Sequence, residues 1–295
     1  MSTRNFGKTW AGMPRREVGG ACAVDELMVT CIARQVIDGE ILAQGLATPL
    51  VAAGYLLAWK THAPNVGFAS AIGQSLCQEG APLGLATIES LWLDRAVVTY
   101  GFVSAAVDLL PWVRPKEFFR PGQVDAAGNF NNVAFGADVR RPRMRLPGTG
   151  GIPDVTPVLS DICLYVPRHS RVTFVERVDI RSGLGHDPRR RRGSGARYLV
   201  SDLGQFDFAD GRLRLTHIHP GVTPELVRAK SGCRVEVAPG LCTTEAPTAE
   251  ELRLLREDID PLGIRRLEFL SGAERRLALA EILRMEARPS ATALS

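Results

Sequence analysis

Glu40 to Trp59 reads EILAQGLATPLVAAGYLLAW, and the order of residue types in it decides the fold. Ile41–Gln44 is a short apolar run of strand type, Gly45 opens a turn, and an Ala/Leu-rich stretch begins at Pro49. Proline at the first turn of a helix costs nothing, because that N–H has no intrahelical acceptor in any case. The reading is therefore strand, glycine turn, helix. Upstream, Leu27, Cys31, Ile32 and Val36 recur near helical spacing between Ala23 and Asp38, with Gly39 placed to end that helix.

The same grammar continues downstream. RAVVTYGFVSAAVDLL (95–110) gives a strand and then an apolar segment of either type. RVTFVERVDI (171–180) alternates at period two and predicts a strand. RYLVSDLGQFDF and GRLRLTHIHPG predict two strands joined through Asp210-Gly211, a strong hairpin signal. Thr223 before Pro224 caps a short helix, Thr248 with Glu251 forms a capping box closed by Asp260-Pro261, and 272–287 is a further amphipathic helix. Alternating strands and helices imply an α/β fold: an open, mostly parallel sheet flanked by helices, with some antiparallel strands in the C-terminal half. Residues 1–22 read as a basic extension, 23–263 as the α/β domain, and 264–295 as a C-terminal helical extension whose last eight residues fray.

Composition narrows the function classes. Of 295 residues, 45% are hydrophobic and 23% charged, which suits a globular protein, and 29 Gly with 19 Pro suit many tight turns. No apolar run reaches the roughly 18 residues of a membrane span, and the polar start shows no signal-peptide core. Six scattered Cys without a CxxC pair argue for a reducing compartment and against zinc, so the expected location is the cytoplasm. A net charge of +4 fits an anionic small ligand and does not argue for nucleic acid. The run PRRRRGSGAR (188–197) lacks interleaved aromatics and reads as a solvated flexible loop.

Chemistry concentrates in QVDAAGNFNNVAFGADVRRPRMRLPGTGGIPD (123–154). Its Gly148-Thr149-Gly150-Gly151 loop lets backbone N–H groups converge, which holds a phosphate, a carboxylate or an oxyanion, or else makes only a tight turn. His217 and His219 fall on one face of a strand and read as structural; His62 and His186 near strand ends are possible acid–base groups. Cys77, a lone cysteine, reads as buried.

Five segments in register, QVDAAGNFNN, RPRMRLPGTGG, SDLGQFDF, HPGVTPELVRAKSG and PTAEELRLLREDIDP, resemble the β subunits of the glutaconate CoA-transferase group, and AQGLATPLVAAGYLLAWKTHAPN (43–65) is similar to that group's first strand, turn and helix. The likeness runs from about Ala23 to about Pro261. It implies a CoA-transferase-type fold, an α-subunit partner in an α2β2 assembly, an acyl-CoA substrate bringing coenzyme A with it, and neither a bound cofactor nor a metal. In that group the strand after the Ala-Pro pair ends in Glu-Ser-Gly, and the glutamate attacks the thioester. Here NVGFASAIG (65–73) keeps Gly73 but has Ala71 at the nucleophile's position, and a methyl group forms no thioester. The resemblance then implies carbon–carbon hydrolysis or decarboxylation, as in members lacking the glutamate. Arg145 matches the basic residue before the group's glycine loop and is the candidate anion contact; Asn129, Asn131, Gly73 and Gly148 to Gly151 are the candidate oxyanion and CoA contacts. Two other readings stay open: a true CoA-transferase using Glu79 or an α-subunit carboxylate, and an inactive scaffold.

Overall fold

The computed structural model describes residues 16–18, 22–45, 48–70, 74–136, 138–190 and 192–287. Ten strands form one sheet: β1 (Ile41–Gln44), β2 (Gly67–Ser70), β3 (Ser75–Cys77), β4 (Ala96–Thr99), β5 (Lys116–Phe119), β6 (Asp161–Val166), β7 (Ala196–Ser201), β8 (Gly204–Ala209), β9 (Arg212–Ile218) and β10 (Glu236–Thr243). Their spatial order is β10-β9-β8-β7-β6-β5-β1-β2-β3-β4. The centre, β7-β6-β5-β1-β2, is parallel throughout, as is the β9–β10 pair. Antiparallel pairing extends the sheet on both sides, through β8 and β9 and also through β3 and β4. The antiparallel portion is thus not confined to the C-terminal half: β3 turns back directly on β2, with Ser70 opposite Ser75.

The central strands are apolar on both faces because each face has its own core. Successive residues of β5 divide between them: Phe118 packs with Leu27, Tyr55, Tyr165 and Tyr198, and Phe119 with Phe130, Leu159, Ile162 and Phe206. The first core lies under helices α1 (Val24–Ala33) and α2 (Pro49–Lys60), whose buried residues occupy nearly their whole circumference. Gly54 permits that packing, since a Cβ there would come within 2.5 Å of Ile32. The C-terminal residues Ile264, Leu267, Ala278 and Ile282 belong to the same core. A wholly buried guanidinium, Arg265, binds them to the N-terminal helix: it meets Asp260 at 2.8 Å, Asp25 at 2.9 Å and Glu26 at 3.2 Å. The Asp25 approach is a charge contact only, since its angle falls outside hydrogen-bond geometry.

Local signals translate directly into these elements. β1 has the expected bounds, α2 starts at Pro49 as expected, and α1 ends at Ala33, short of Gly39. Asp210 (φ 50°) and Gly211 (φ 73°) are both left-handed, as the two central residues of a type I′ hairpin must be. Thr223 accepts the Leu226 N–H, and Thr248 and Glu251 complete the capping box. The segment 102–113 is helical with a π stretch, Ala105–Leu109, and ends where Arg114 turns left-handed before Pro115. Three expectations change. RYLVSDLGQFDF is two strands, β7 and β8, separated at Asp202-Leu203, where the Ser201 hydroxyl accepts the Leu203 N–H. RVTFVERVDI forms no strand; Phe174 and Val175 make single bridges to Val124 and Gly232. The Arg-rich loop is tied down: Arg190 donates to the Leu184 and Leu159 carbonyls, Arg189 to Asp187, and Arg197 to Asp161. The expected frayed tail lies outside the described residues, and no helix among them is long and apolar enough to cross a membrane.

Candidate functional site

In an open parallel sheet, ligands gather at the carboxyl ends of the strands. At that rim β1 ends in Gln44, β2 in Ser70, and Arg120 follows β5 directly. Gln44 and Ser70 are both 3% exposed. By strand alternation they lie on the same face as Leu42, Phe68 and Phe118, the face carrying α2. Residues 71–73, which continue from Ser70, lie outside the described residues, so Ala71 and Gly73 carry no structural account. Gln74, which follows them, is left-handed (φ 46°), and its carbonyl accepts the Tyr100 N–H. A non-glycine residue in that region marks a turn whose shape is imposed by its surroundings.

Behind the rim lies a polar network that spacing did not reveal. The carboxylate of Glu268, 2% exposed, accepts the Leu50 N–H at 2.9 Å, the Tyr165 hydroxyl at 2.9 Å and an Arg120 N–H at 3.0 Å. Arg120 also donates to the Glu268 carbonyl at 3.3 Å. Glu268 therefore caps α2, where a negative charge is favoured by the helix dipole. Burial pushes its carboxyl above the usual range, against the lowering influence of the Arg120 charge and the hydrogen bonds it accepts.

From Arg120 the chain connects to the glycine loop. The Gly122 N–H donates to the Asn131 carbonyl and the Asn132 side chain, and the Gly148 N–H donates to the Asn132 carbonyl. Two hydrogen-bonded steps thus join the rim to Gly148-Thr149-Gly150-Gly151. Gly148 (φ 110°) and Gly150 (φ 51°) need their freedom, and both face open space. Gly148 has used its donor. Among the described residues no carbonyl engages the amides of Thr149, Gly150 or Gly151.

The side chains of Asn129 and Asn131 are engaged apart from this group, whereas Arg145 lies just before it in the chain. Asn129 serves its own turn: its amide donates to Asp125 at 3.1 Å and its oxygen accepts the Gly185 N–H. Asn131 is fully buried between Gln123 and the Ala134 carbonyl, 2.8 and 2.7 Å away. Both asparagines are committed to loop architecture. Arg145 is exposed on a two-residue strand paired with Ala134–Phe135 and reaches the Val139 carbonyl at 3.3 Å. Glu79 is exposed just past β3. Among the histidines, His219 is buried between Thr244 and the Ser201 carbonyl, and burial lowers it to about 4. His62 reaches the Val36 carbonyl and His186 the Ala196 carbonyl. Cys77 is buried, its thiol against the Trp92 carbonyl and pushed up by burial. A surface hollow of about 640 Å³ lies at the opposite edge of the sheet, around the Asp210-Gly211 turn, with Asp125, Glu176 and His186 in its lining. The strand ends and the glycine loop do not line this hollow, so it is not the better candidate. Among the described residues no three His, Cys, Asp or Glu side chains gather as a metal site.

An open, two-faced sheet with helices on its faces and a glycine loop near its carboxyl rim is an α/β architecture of the class in which ligands gather at the strand ends. No protein-family model matches the chain. It is 33% identical over 246 residues to the cholesterol ring-cleaving hydrolase IpdB subunit of Mycobacterium tuberculosis, covering 79% of this chain and 92% of that one. It is 29% identical over 261 residues to the β subunit of the 3-oxoadipate CoA-transferase of Pseudomonas knackmussii, covering 80% and 93%. A crystal structure of the decarboxylase AibA/AibB superposes with a TM-score of 0.72 at 31% identity, over 82% of this chain and 97% of that one. The chain belongs to the CoA-transferase family and is similar to the family's β subunits.

Proposed function

We propose that this chain is the β subunit of a heteromeric enzyme that acts on an acyl-CoA thioester by carbon–carbon hydrolysis or decarboxylation rather than by glutamyl-CoA transfer. The observation that carries this reading is Ala71. It stands one residue beyond β2, at the position of the resembled nucleophile, in a segment that keeps the group's glycine as Gly73. Without a carboxylate there, the covalent route through this chain is closed. The names of two relatives, a ring-cleaving hydrolase and a decarboxylase, support the alternative chemistry. Both reactions need a carbanion or enolate to be held, which the free amides of Thr149, Gly150 and Gly151, with Arg145 as a source of charge, are suited to do. Coenzyme A enters as part of the substrate. The general acid or base then comes from the α subunit. Exposed apolar side chains on β4 and the helical segment after it, Val97, Val103, Val107 and Trp112, support a partner surface on this chain.

The test uses the chain co-purified with its α subunit. Acyl-CoA is supplied with a labelled acceptor carboxylate, and borohydride traps any enzyme-bound thioester. The expected result is carbon dioxide or a ring-opened product with the CoA ester intact, no label exchange and no adduct. Exchange of CoA onto the acceptor, or a reduced adduct on this chain, sinks the reading in favour of a transferase working through Glu79 or an α-subunit carboxylate. Full activity without this chain makes it a scaffold.

A further inference from the structure

The hydrolase and transferase relatives are matched over 92% and 93% of their own lengths but over 79% and 80% of this chain. The likeness legible in the sequence ends near Pro261, and the C-terminal helix, Gly272–Glu286, lies beyond it. That helix buries Ala278 and Ile282 in the first core, and its last residue makes a set of contacts on a distant turn. The Glu286 carboxylate accepts the Leu85 N–H at 3.0 Å, the Ala86 N–H at 2.9 Å, the Thr87 N–H at 3.3 Å and the Thr87 hydroxyl at 2.7 Å. Those residues open a short helix, α3 (Ile88–Leu93), whose own N-cap residue Thr87 makes no side-chain cap. At six residues α3 is too short to persist by itself. Glu286 therefore caps it from the far end of the chain. Gly84 leaves the space: a Cβ there would come within 2.7 Å of Glu286 Oε1. Burial acts to raise this carboxyl, but the amides and the hydroxyl hold it below the usual range, so it is charged and its hydrogen bonds are the strong kind.

α3 in turn holds the outer edge of the sheet. Its Trp92 is buried edge-on against Phe68 of β2, with ring centroids 5.3 Å apart, and the Trp92 carbonyl accepts the Cys77 thiol at the end of β3. β4, the outermost strand, follows α3 and pairs with β3 alone. Val97 and Val98 on it are 63% and 37% exposed, so β4 has no core of its own to fix it. We propose that the C-terminal helix is a clasp, closed by Glu286, that keeps α3 and β4 in the position from which β4 and the helical segment after it meet the α subunit. The inference rests on the partner surface of the proposed function. With the clasp open, α3 loses its cap and this edge opens as one unit, while the parallel centre of the sheet stays folded.

The experiment follows backbone hydrogen exchange by mass spectrometry in the full chain, and α-subunit affinity by calorimetry, for wild type, Glu286→Ala, Glu286→Gln and Trp112→Ser. In Glu286→Ala, exchange at Leu85–Thr87 and at Ala96–Thr99 accelerates at least about tenfold, and affinity for the α subunit falls by a similar factor. Exchange at Leu164 on β6 stays as in wild type, which reports an intact fold. Glu286→Gln keeps an acceptor oxygen without the charge and falls between the two. Trp112→Ser lowers affinity and leaves exchange unchanged. Faster exchange confined to Leu85–Thr87, or undiminished affinity with the edge open, overturns the clasp. Faster exchange at Leu164 in both Glu286 variants makes the contact one of general stability and overturns it too. Undiminished affinity in Trp112→Ser instead brings down the partner surface, a failure that the exchange data tell apart from failure of the clasp.

Discussion

Glu117 offers a pH test of how the sheet is built. It stands on β5 between Lys116 and Phe118, opposite Ala43 on one side and Ile162 on the other. Its Oε2 is sealed from water with no hydrogen-bond partner, and burial alone raises its pKa from 4.5 to about 8. The native state therefore holds a proton that the unfolded chain has already released between those two values. Stability from this group is complete below pH 4.5 and is lost as pH rises to 8. At about 1.4 kcal/mol per unit, the loss accumulated by pH 7 is on the order of 3 kcal/mol. Urea unfolding at pH 5, 6, 7 and 8 measures it, with Glu117→Gln as the neutral counterpart. Other shifted carboxyls contribute equally to both proteins, so the difference between the two curves isolates Glu117. Wild type should lose stability against the variant steadily across the series. Parallel curves would show that the carboxyl finds water or a partner in solution, and the reasoning would fail.

Arg265→Met leaves Asp25, Glu26 and Asp260 facing one another without their shared cation, and the urea midpoint should fall by an amount equivalent to about 3–5 kcal/mol. His169 stacks on Phe174 at 3.6 Å and burial depresses it to about 3, so its ring-proton NMR resonance should not titrate between pH 8 and 5. The sign follows: this histidine's contribution is present above pH 6.5 and is lost as pH falls towards 3, which makes the chain acid-labile. Thr248→Ala removes the cap on the Glu251 N–H and should lower stability in thermal unfolding by about 1 kcal/mol.

What the sequence revealed of the fold tracks how local each determinant is. Pro49, the Asp210-Gly211 pair and the Thr248 box act within a few residues, and their elements form where those signals lie. RVTFVERVDI shows the limit. Phe174 is buried against His169 and Phe206, and Val178 is buried four residues on, but Val172, two residues before Phe174, is exposed, so the alternating positions share no one face. Period two in residue type does not supply a neighbouring strand to pair with; here there are only isolated bridges to Val124 and Gly232. The Arg-rich loop errs the other way: charge suggested solvent, but Arg190 is spent on carbonyls from two distant turns.

The site divides along the same line. The glycine loop was legible because Gly148 and Gly150 need backbone conformations that other residues avoid, and that need is written in residue type. Asn129 and Asn131 carry the same polar signature as ligand contacts, yet turn geometry uses their amides completely. Arg120 has no signature at all. One arginine before a proline is ordinary, and its meaning depends on Glu268, which lies 148 positions away and is brought under the rim by the chain's return to α2. The consequence for function is specific. In the resembled group the chemistry rests on one glutamate, and under the proposed function Ala71 at that position removes the covalent step. The strand ends, the loop amides and the held arginine do not depend on that side chain. Under the same proposal, a fold whose loop amides serve as oxyanion contacts can exchange transfer for hydrolysis or decarboxylation once the α subunit supplies the acid or base.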